Sequence, residues 1–274
     1  MSTLYISDLD GTLLQPDEKL SAQTESDLRG LIARGCNFTV ATARTISTVA
    51  PILASVPLSL PLVLLNGALI YDPVNRVYVR KAVIDGNTVA AVSDIMHSHG
   101  VTGFCYAVEN DIMLSYYENL DSPHHRAFHD RRVRDYGKKY KEISSFSLLS
   151  NNSAVHFMLY DSHKKLAGVY NELRKLSGLH FEYYRDIYGS GLFFLEVCSD
   201  GAGKKNALLF LLSYLGCDRA VSFGDNMNDI GMFSVSAESY AVANAAADIK
   251  AAASGVIDAN TENGVTAFLK ERFG

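Results

Sequence analysis

Little in this chain points to a disulfide scaffold, a zinc module, a membrane protein or a nucleic-acid binder. Its four cysteines, Cys36, Cys105, Cys198 and Cys217, are far apart and form no C-x-x-C pair. That spacing argues against structural zinc and disulfides and makes a reduced, cytoplasmic setting the expectation. Long apolar runs are missing too: the most apolar stretch, 57–70, is interrupted by Pro61, Asn66 and Gly67 and is too short to cross a bilayer. At the N-terminus, Asp8 and Asp10 break the chain before the apolar region of a signal peptide could build up. Positive charge is not in excess, with 25 basic against 30 acidic residues and a net charge of -5, so no electrostatic footprint for nucleic acid or anionic membrane is expected. Repeats and low-complexity tracts are likewise absent. What remains is a protein that works on small molecules.

What is present is ordinary globular composition: 274 residues, 48% apolar and 20% charged, enough for one large domain or two smaller ones. An apolar run at 4–7 ends on the acids at 8 and 10 and on Gly11, a buried strand entering a turn. A helix is expected over 21–34, with Ser21 as N-cap and Gly35 as its stop. A strand at 36–41, a helix at 45–56 and a continuous aliphatic strand at 62–65 follow. This alternation predicts an α/β fold, a doubly wound, Rossmann-like parallel sheet with ligand sites beyond the carboxyl ends of its strands. It resumes near the C-terminus, with strands at 192–198, 219–223, 239–242 and 255–257 and helices at 204–215, 245–253 and 262–272. The residues between differ in character: a helix at 85–99, strands at 101–107, 112–116, 154–160 and 179–184, a helix at 162–176, and a polar, basic stretch at 122–141. We read them as an α+β domain over 83–191, inserted into a core made of 1–82 and 192–274.

The chemistry concentrates in Asp8-Leu9-Asp10-Gly11-Thr12-Leu13-Leu14. In extended chain, residues i and i+2 point the same way, so the two carboxylates can converge. A hard divalent cation would offset their repulsion and leave one of them free to attack phosphorus. Alone, the pair could equally be turn acids at a strand end. The segment resembles the first motif of haloacid dehalogenase superfamily phosphatases, and the other motifs recur in order. Ala41-Thr42-Ala43-Arg44 is similar to the second, Gly203-Lys204-Lys205-Asn206-Ala207-Leu208 to the third, and Gly224-Asp225-Asn226-Met227-Asn228-Asp229 to the fourth; Asn66-Gly67 is similar to an element of the Cof-like subfamily. Single motifs are weak, but four in order at strand ends or helix starts are not accidental.

The resemblance implies a role for each matching residue. Asp8 would be the nucleophile that forms an aspartyl phosphate. Asp10 would be general acid and base, with its backbone carbonyl on Mg2+. Thr42 and Lys204 would meet the phosphoryl group, Asn228 would add a contact, and Arg44, Asn66 and Gly67 would line the substrate. Asp225 would bind Mg2+ directly, and Asp229 through water or by orienting the other ligands. The insertion point resembles the type IIB (C2B) arrangement, whose α+β cap closes over a sugar phosphate or a phosphorylated cofactor such as PLP or FMN. A phosphomutase or phosphotransferase, or a non-catalytic phosphometabolite binder, are the alternatives on the same fold. Ala43 stands where this subfamily has glycine, and Lys205 where glycine often follows the motif lysine, so two adjacent lysines compete for one role; register with Ala207-Leu208 favours Lys204.

Three further groups carry blander readings. His124, His125 and His129 do not share one helical face, which disfavours a metal site. Arg131, Arg132, Arg134, Lys138, Lys139 and Lys141 could steer an anion but read first as a solvated face. Tyr183, Tyr184 and Tyr188 could stack on a ligand, with at least one of them expected in the core.

Overall fold

The computed structural model describes residues 2–149, 151, 153–186 and 191–273. Its contacts divide the chain into two compact units, Met1–Arg80 with Gly203–Gly274, and Lys81–Ala202. The first unit opens with β1 (Thr3–Ser7), α1 (Ala22–Ala33), β2 (Asn37–Val40), α2 (Ile46–Leu53), β3 (Leu62–Leu64), β4 (Leu69–Asp72) and β5 (Val77–Lys81). The second comprises α3 (Gly86–Ser98), β6 (Gly103–Glu109), β7 (Ile112–Tyr117), α4 (Pro123–Tyr136), β8 (Tyr140–Glu142), β9 (Ala154–Asp161), α5 (His163–Leu173), β10 (Leu179–Arg185) and β11 (Phe193–Ser199). The chain then returns to the first unit as α6 (Lys204–Leu215), β12 (Arg219–Gly224), α7 (Met227–Phe233), β13 (Glu238–Val242), α8 (Ala247–Ala252), β14 (Gly255–Ile257) and α9 (Gly264–Phe273).

The first unit is built on a sheet of order β14-β13-β12-β1-β2, parallel throughout. Strand β1, flanked by β12 and β2, buries Leu4, Tyr5 and Ile6 in succession, the mark of a strand covered on both faces. Leu28 and Leu31 of α1 and Ala207, Leu208 and Leu211 of α6 supply covering side chains, all fully buried. Each leucine so buried contributes about 1.5–3 kcal/mol. Ser21 does cap α1, its hydroxyl accepting from the Thr24 N–H at 2.9 Å. The apolar stretch near residue 60 folds as β3, a tight turn and the antiparallel β4, attached to the main sheet through a parallel bridge from Ala41 to Val63.

The second unit is a six-stranded sheet of order β10-β11-β9-β6-β7-β8. One face packs against α3 and α5, with Val89, Val92, Met96, Leu166 and Val169 meeting Cys105, Phe157, Leu159, Leu195 and Val197 in one core. Two expectations change here. The strand assigned to the core after residue 191 belongs instead to this sheet, where Phe193–Ser199 pairs along its length with β10 and β9; the boundary therefore falls between Ala202 and Gly203. The polar, basic stretch, to which the sequence assigned no element, is α4, opened by Pro123 and closed by Gly137 at φ 59°, as helix ends require. It lies against the other face of the sheet, where Phe128 meets Phe104 at 5.2 Å. His125 is buried there, bonded to Thr102 and to the Tyr160 carbonyl, and no metal cluster forms around the helix histidines among the described residues. Tyr183 stacks on His163 and Tyr184 donates to Glu196, while Tyr188 lies outside the described residues.

Candidate active site

In the main sheet β1 lies between β2 and β12, so the loops after these three strands open along one edge, where an α/β sheet gathers its ligand groups. Asp8 is the first residue after β1, and its N–H donates to the Phe223 carbonyl at 2.9 Å. It is 6% exposed. Lys204 opens α6 with its side chain fully buried, donating to Asp8 Oδ1 at 2.5 Å and to Asp229 Oδ1 at 2.7 Å. Neighbouring Lys205 is exposed, so only one of the two adjacent lysines reaches the carboxylates. Among the described residues, Asp8 Oδ2 has no protein hydrogen bond.

Asp229 completes a capping box at the start of α7. Its Oδ2 accepts from the backbone N–H groups of Asp225 at 3.0 Å and Asn226 at 3.1 Å, so both oxygens are engaged. Any side chain at Gly224 would collide with it. Asp225, directly after β12, accepts from the Thr12 hydroxyl at 2.9 Å. Thr12 is 1% exposed; sequence reading gave it no role, although it stood at a fixed spacing within the first motif.

Three carboxylates thus face a single ammonium. Burial pushes Asp8 well above the usual carboxylate range, with Asp229 and Asp225 adding to the rise and Lys204 opposing it. Asp225 is pushed up to about 6, first by burial and then by the charge of Asp229. Lys204 moves up despite its burial because Asp229 and Asp8 hold its proton. Oxygens of Asp8, Asp225 and Asp229 lie within 4.8 Å of one another. This excess of buried hard-oxygen donors fits a small divalent cation such as Mg2+. Asp8 and Asp225 would hold it, and Asp229, fully occupied by Lys204 and two N–H groups, would orient them.

The second motif turns inward beside them. Thr42 is fully buried, and its hydroxyl accepts from the Arg44 N–H at 3.1 Å, which leaves its own hydrogen to donate. The Thr42 carbonyl accepts from the Asn66 N–H at 3.0 Å and the Arg44 carbonyl from the Leu65 N–H at 3.1 Å. Leu65, Asn66 and Gly67 are all left-handed, at φ 48°, 51° and 91°, a run that persists only where its surroundings enforce it. Asn228 donates to the Asn66 side-chain oxygen at 3.0 Å. At Gly67, a Cβ would strike the Gly203 backbone just ahead of Lys204. Gly67→Ala is therefore expected to cost about 1–3 kcal/mol, read as a lower urea midpoint with an unchanged slope.

Two of the expected residues are placed differently. Arg44, expected at the substrate, is turned onto Asp10, donating to its two oxygens at 2.8 and 2.5 Å, and to Glu18 at 2.9 Å. The Asp10 carboxylate is 45% exposed and lies outside the three-carboxylate cluster. Sequence reading could not foresee this pairing, since Asp10 and Arg44 are 34 positions apart.

Comparison with known proteins places this geometry in context. A family model described as haloacid dehalogenase-like hydrolase matches residues 5–269. The chain is 28% identical to an HMP-PP phosphatase of Serratia proteamaculans, over 91% of this chain and 87% of that protein. It is 23% identical to the 5-amino-6-(5-phospho-D-ribitylamino)uracil phosphatase YitU of Bacillus subtilis, over 98% and 97% of the two chains. Among solved structures, the subclass IIB sugar phosphatase BT4131 of the HAD superfamily shares its fold with a TM-score of 0.73 at 20% identity, covering 99% of both chains.

Proposed function

Because this chain belongs to the haloacid dehalogenase-like hydrolases, we propose that it is a Mg2+-dependent phosphatase of small organic phosphomonoesters, with Asp8 as its nucleophile. The observation that carries the reading is the environment of Asp8, a buried carboxylate with one oxygen fixed by Lys204 and the other open to attack. Asp8 Oδ2 forms a bond to phosphorus as the bond from phosphorus to the leaving oxygen breaks. Asp10 gives that oxygen a proton, then takes one from the water that hydrolyses the aspartyl phosphate, returning Asp8 and releasing phosphate. To do so Asp10 must swing away from Arg44, which keeps Glu18 as a partner meanwhile. Lys204 and the Thr42 hydroxyl face the oxygens on which charge accumulates. Asn66, Gly67 and Asn228 line the approach. Mg2+, held by Asp8, Asp225 and the Asp10 carbonyl, would supply Lewis-acid neutralisation of the phosphoryl oxygens.

Sugar phosphates are the favoured substrates and phosphorylated cofactors the next; one solved relative is named a sugar phosphatase, and two curated relatives are named for HMP-PP and for a phosphoribitylaminouracil. The test is phosphate release from a panel of both classes and of nucleotides, with Mg2+ or with chelator. Metal-dependent release supports the reading, and no release from any compound by folded protein would sink it.

Asp225 gives a separable prediction. Its folded-state pKa of about 6 lies above the ordinary 3.8, so its ionised form burdens the metal-free fold. The burden is absent below the ordinary value and complete above about 6; it amounts to at most about 3 kcal/mol. Asp225→Asn should raise the melting temperature of chelated protein at pH 7, flatten its fall between pH 4 and 6, and abolish the stabilisation by Mg2+. Calorimetry with and without metal reads all three, and a Mg2+-induced shift equal to that of the wild type would remove Asp225 from the ligand set.

A further inference from the structure

The basic run on α4 and its exit is not uniformly solvated. Arg131 and Arg134 pair with Asp135, but Lys138 turns into the second unit and is 6% exposed. Its ammonium sits 4.1 Å from the Tyr106 ring and 5.4 Å from that of Tyr140. Arg132 lies over Phe128 at 4.0 Å, close enough for its charge to act on Lys138. These residues share the sheet face opposite the unit's core with His156, Tyr184 and Glu196.

This face is rich in donors and poor in acceptors. Arg132 Nε and the Tyr140 hydroxyl are buried without a hydrogen-bond partner, whereas buried polar groups are nearly always paired. The acids nearby are turned elsewhere: Glu196 accepts from Tyr184 at 2.7 Å and meets His156 at 3.1 Å. Asp186 accepts from Tyr160, and Glu182 meets His180. No salt bridge joins Lys138 or Arg132 to a described carboxylate. Burial, with the like charge of Arg132, pulls Lys138 well below the usual lysine range. A fold that buries a cation without a counter-charge loses stability by it, and such losses are kept where a ligand repays them.

We propose that this face of the second unit is a binding site for a compact oxyanion, phosphate or carboxylate, with Lys138 and Arg132 as its cations and Tyr140 as a further donor. Arg132 and Tyr140 are partly exposed, so the face is not sealed from solvent. The site lies wholly within residues 81–202 and does not rest on the phosphatase reading.

The test is calorimetric titration of the full chain with inorganic phosphate and, separately, with malonate, both in chelator so that the three carboxylates near Asp8 repel the anion. The wild type and Asp225→Asn are expected to bind at one site. Lys138→Met and Arg132→Gln should each weaken binding at least about tenfold, as loss of a charged hydrogen bond does. Lys138→Met should also melt higher than the wild type without anion, because an unpaired buried cation gives way to an apolar side chain of similar length. Binding of phosphate alone identifies a phosphate site, and binding of malonate a carboxylate site. Absence of binding by either, or unchanged affinity in both folded variants, would overturn the proposal.

Discussion

Asp8→Asn is expected to give a folded protein whose phosphate release is lower by at least about 10^4-fold, as when a covalent nucleophile is removed from a site that otherwise stays intact. Asparagine has nearly the same shape, and its amide oxygen can still accept from Lys204. The variant also loses a carboxylate that burial has pushed well above its usual range, so its melting temperature without metal should not fall. Those two readouts together separate chemistry from folding. Release above about one per cent of wild type in a clean preparation would mean that another group attacks phosphorus, since an amide in place of the carboxylate cannot form the covalent intermediate.

The second large effect belongs to Lys204. Its ammonium is fully enclosed and bridges Asp8 and Asp229, so Lys204→Met leaves two buried carboxylates facing each other. Removing one partner of a buried charge network costs about 3–5 kcal/mol. Protonation of one acid returns part of that, which predicts a variant that is weak at pH 8 and markedly more stable at pH 5. Turnover should fall about 10^2–10^3-fold even at pH values where the protein is folded, as for loss of a fixed charge facing developing negative charge. Urea titrations across that pH range, with parallel kinetics, check both halves. Equal stability at the two pH values would mean that the carboxylates do not depend on this lysine.

Much of this site could be read without coordinates, for an identifiable reason. Asp8 and Asp225 follow directly on strands of the parallel sheet and Thr42 stands two residues beyond another, and continuous buried runs such as Leu4–Ile6 announce those strands in one dimension. Lys204 was legible because the apolar spacing of α6 sets which of two lysines faces inward. What escaped depends on partners distant in sequence. The strand Phe193–Ser199 has the same pattern whichever sheet it joins, and only its pairing with β9 and β10 decides. Helix α4 carries too few apolar residues to show a helical period; it is held by Phe128 against Phe104 and Phe194. The pairing of Arg44 with Asp10, and the inward turn of Lys138, likewise follow from contacts that no local pattern encodes.

The position of β1 also has a consequence for how the protein is made. Thr3 pairs with Arg219, 216 positions away, so β1 is synthesised long before the strand that completes its pairing. Ordering a loop of that length comes before any reward from the contacts it permits, which slows folding. The residues of the second unit, complete by Ala202, emerge as one contiguous block and can fold while β1 is still unpaired on one side. During synthesis, Leu4, Tyr5 and Ile6 therefore form an exposed apolar edge, and the interval before β12 arrives is when this chain is most open to aggregation and to chaperones.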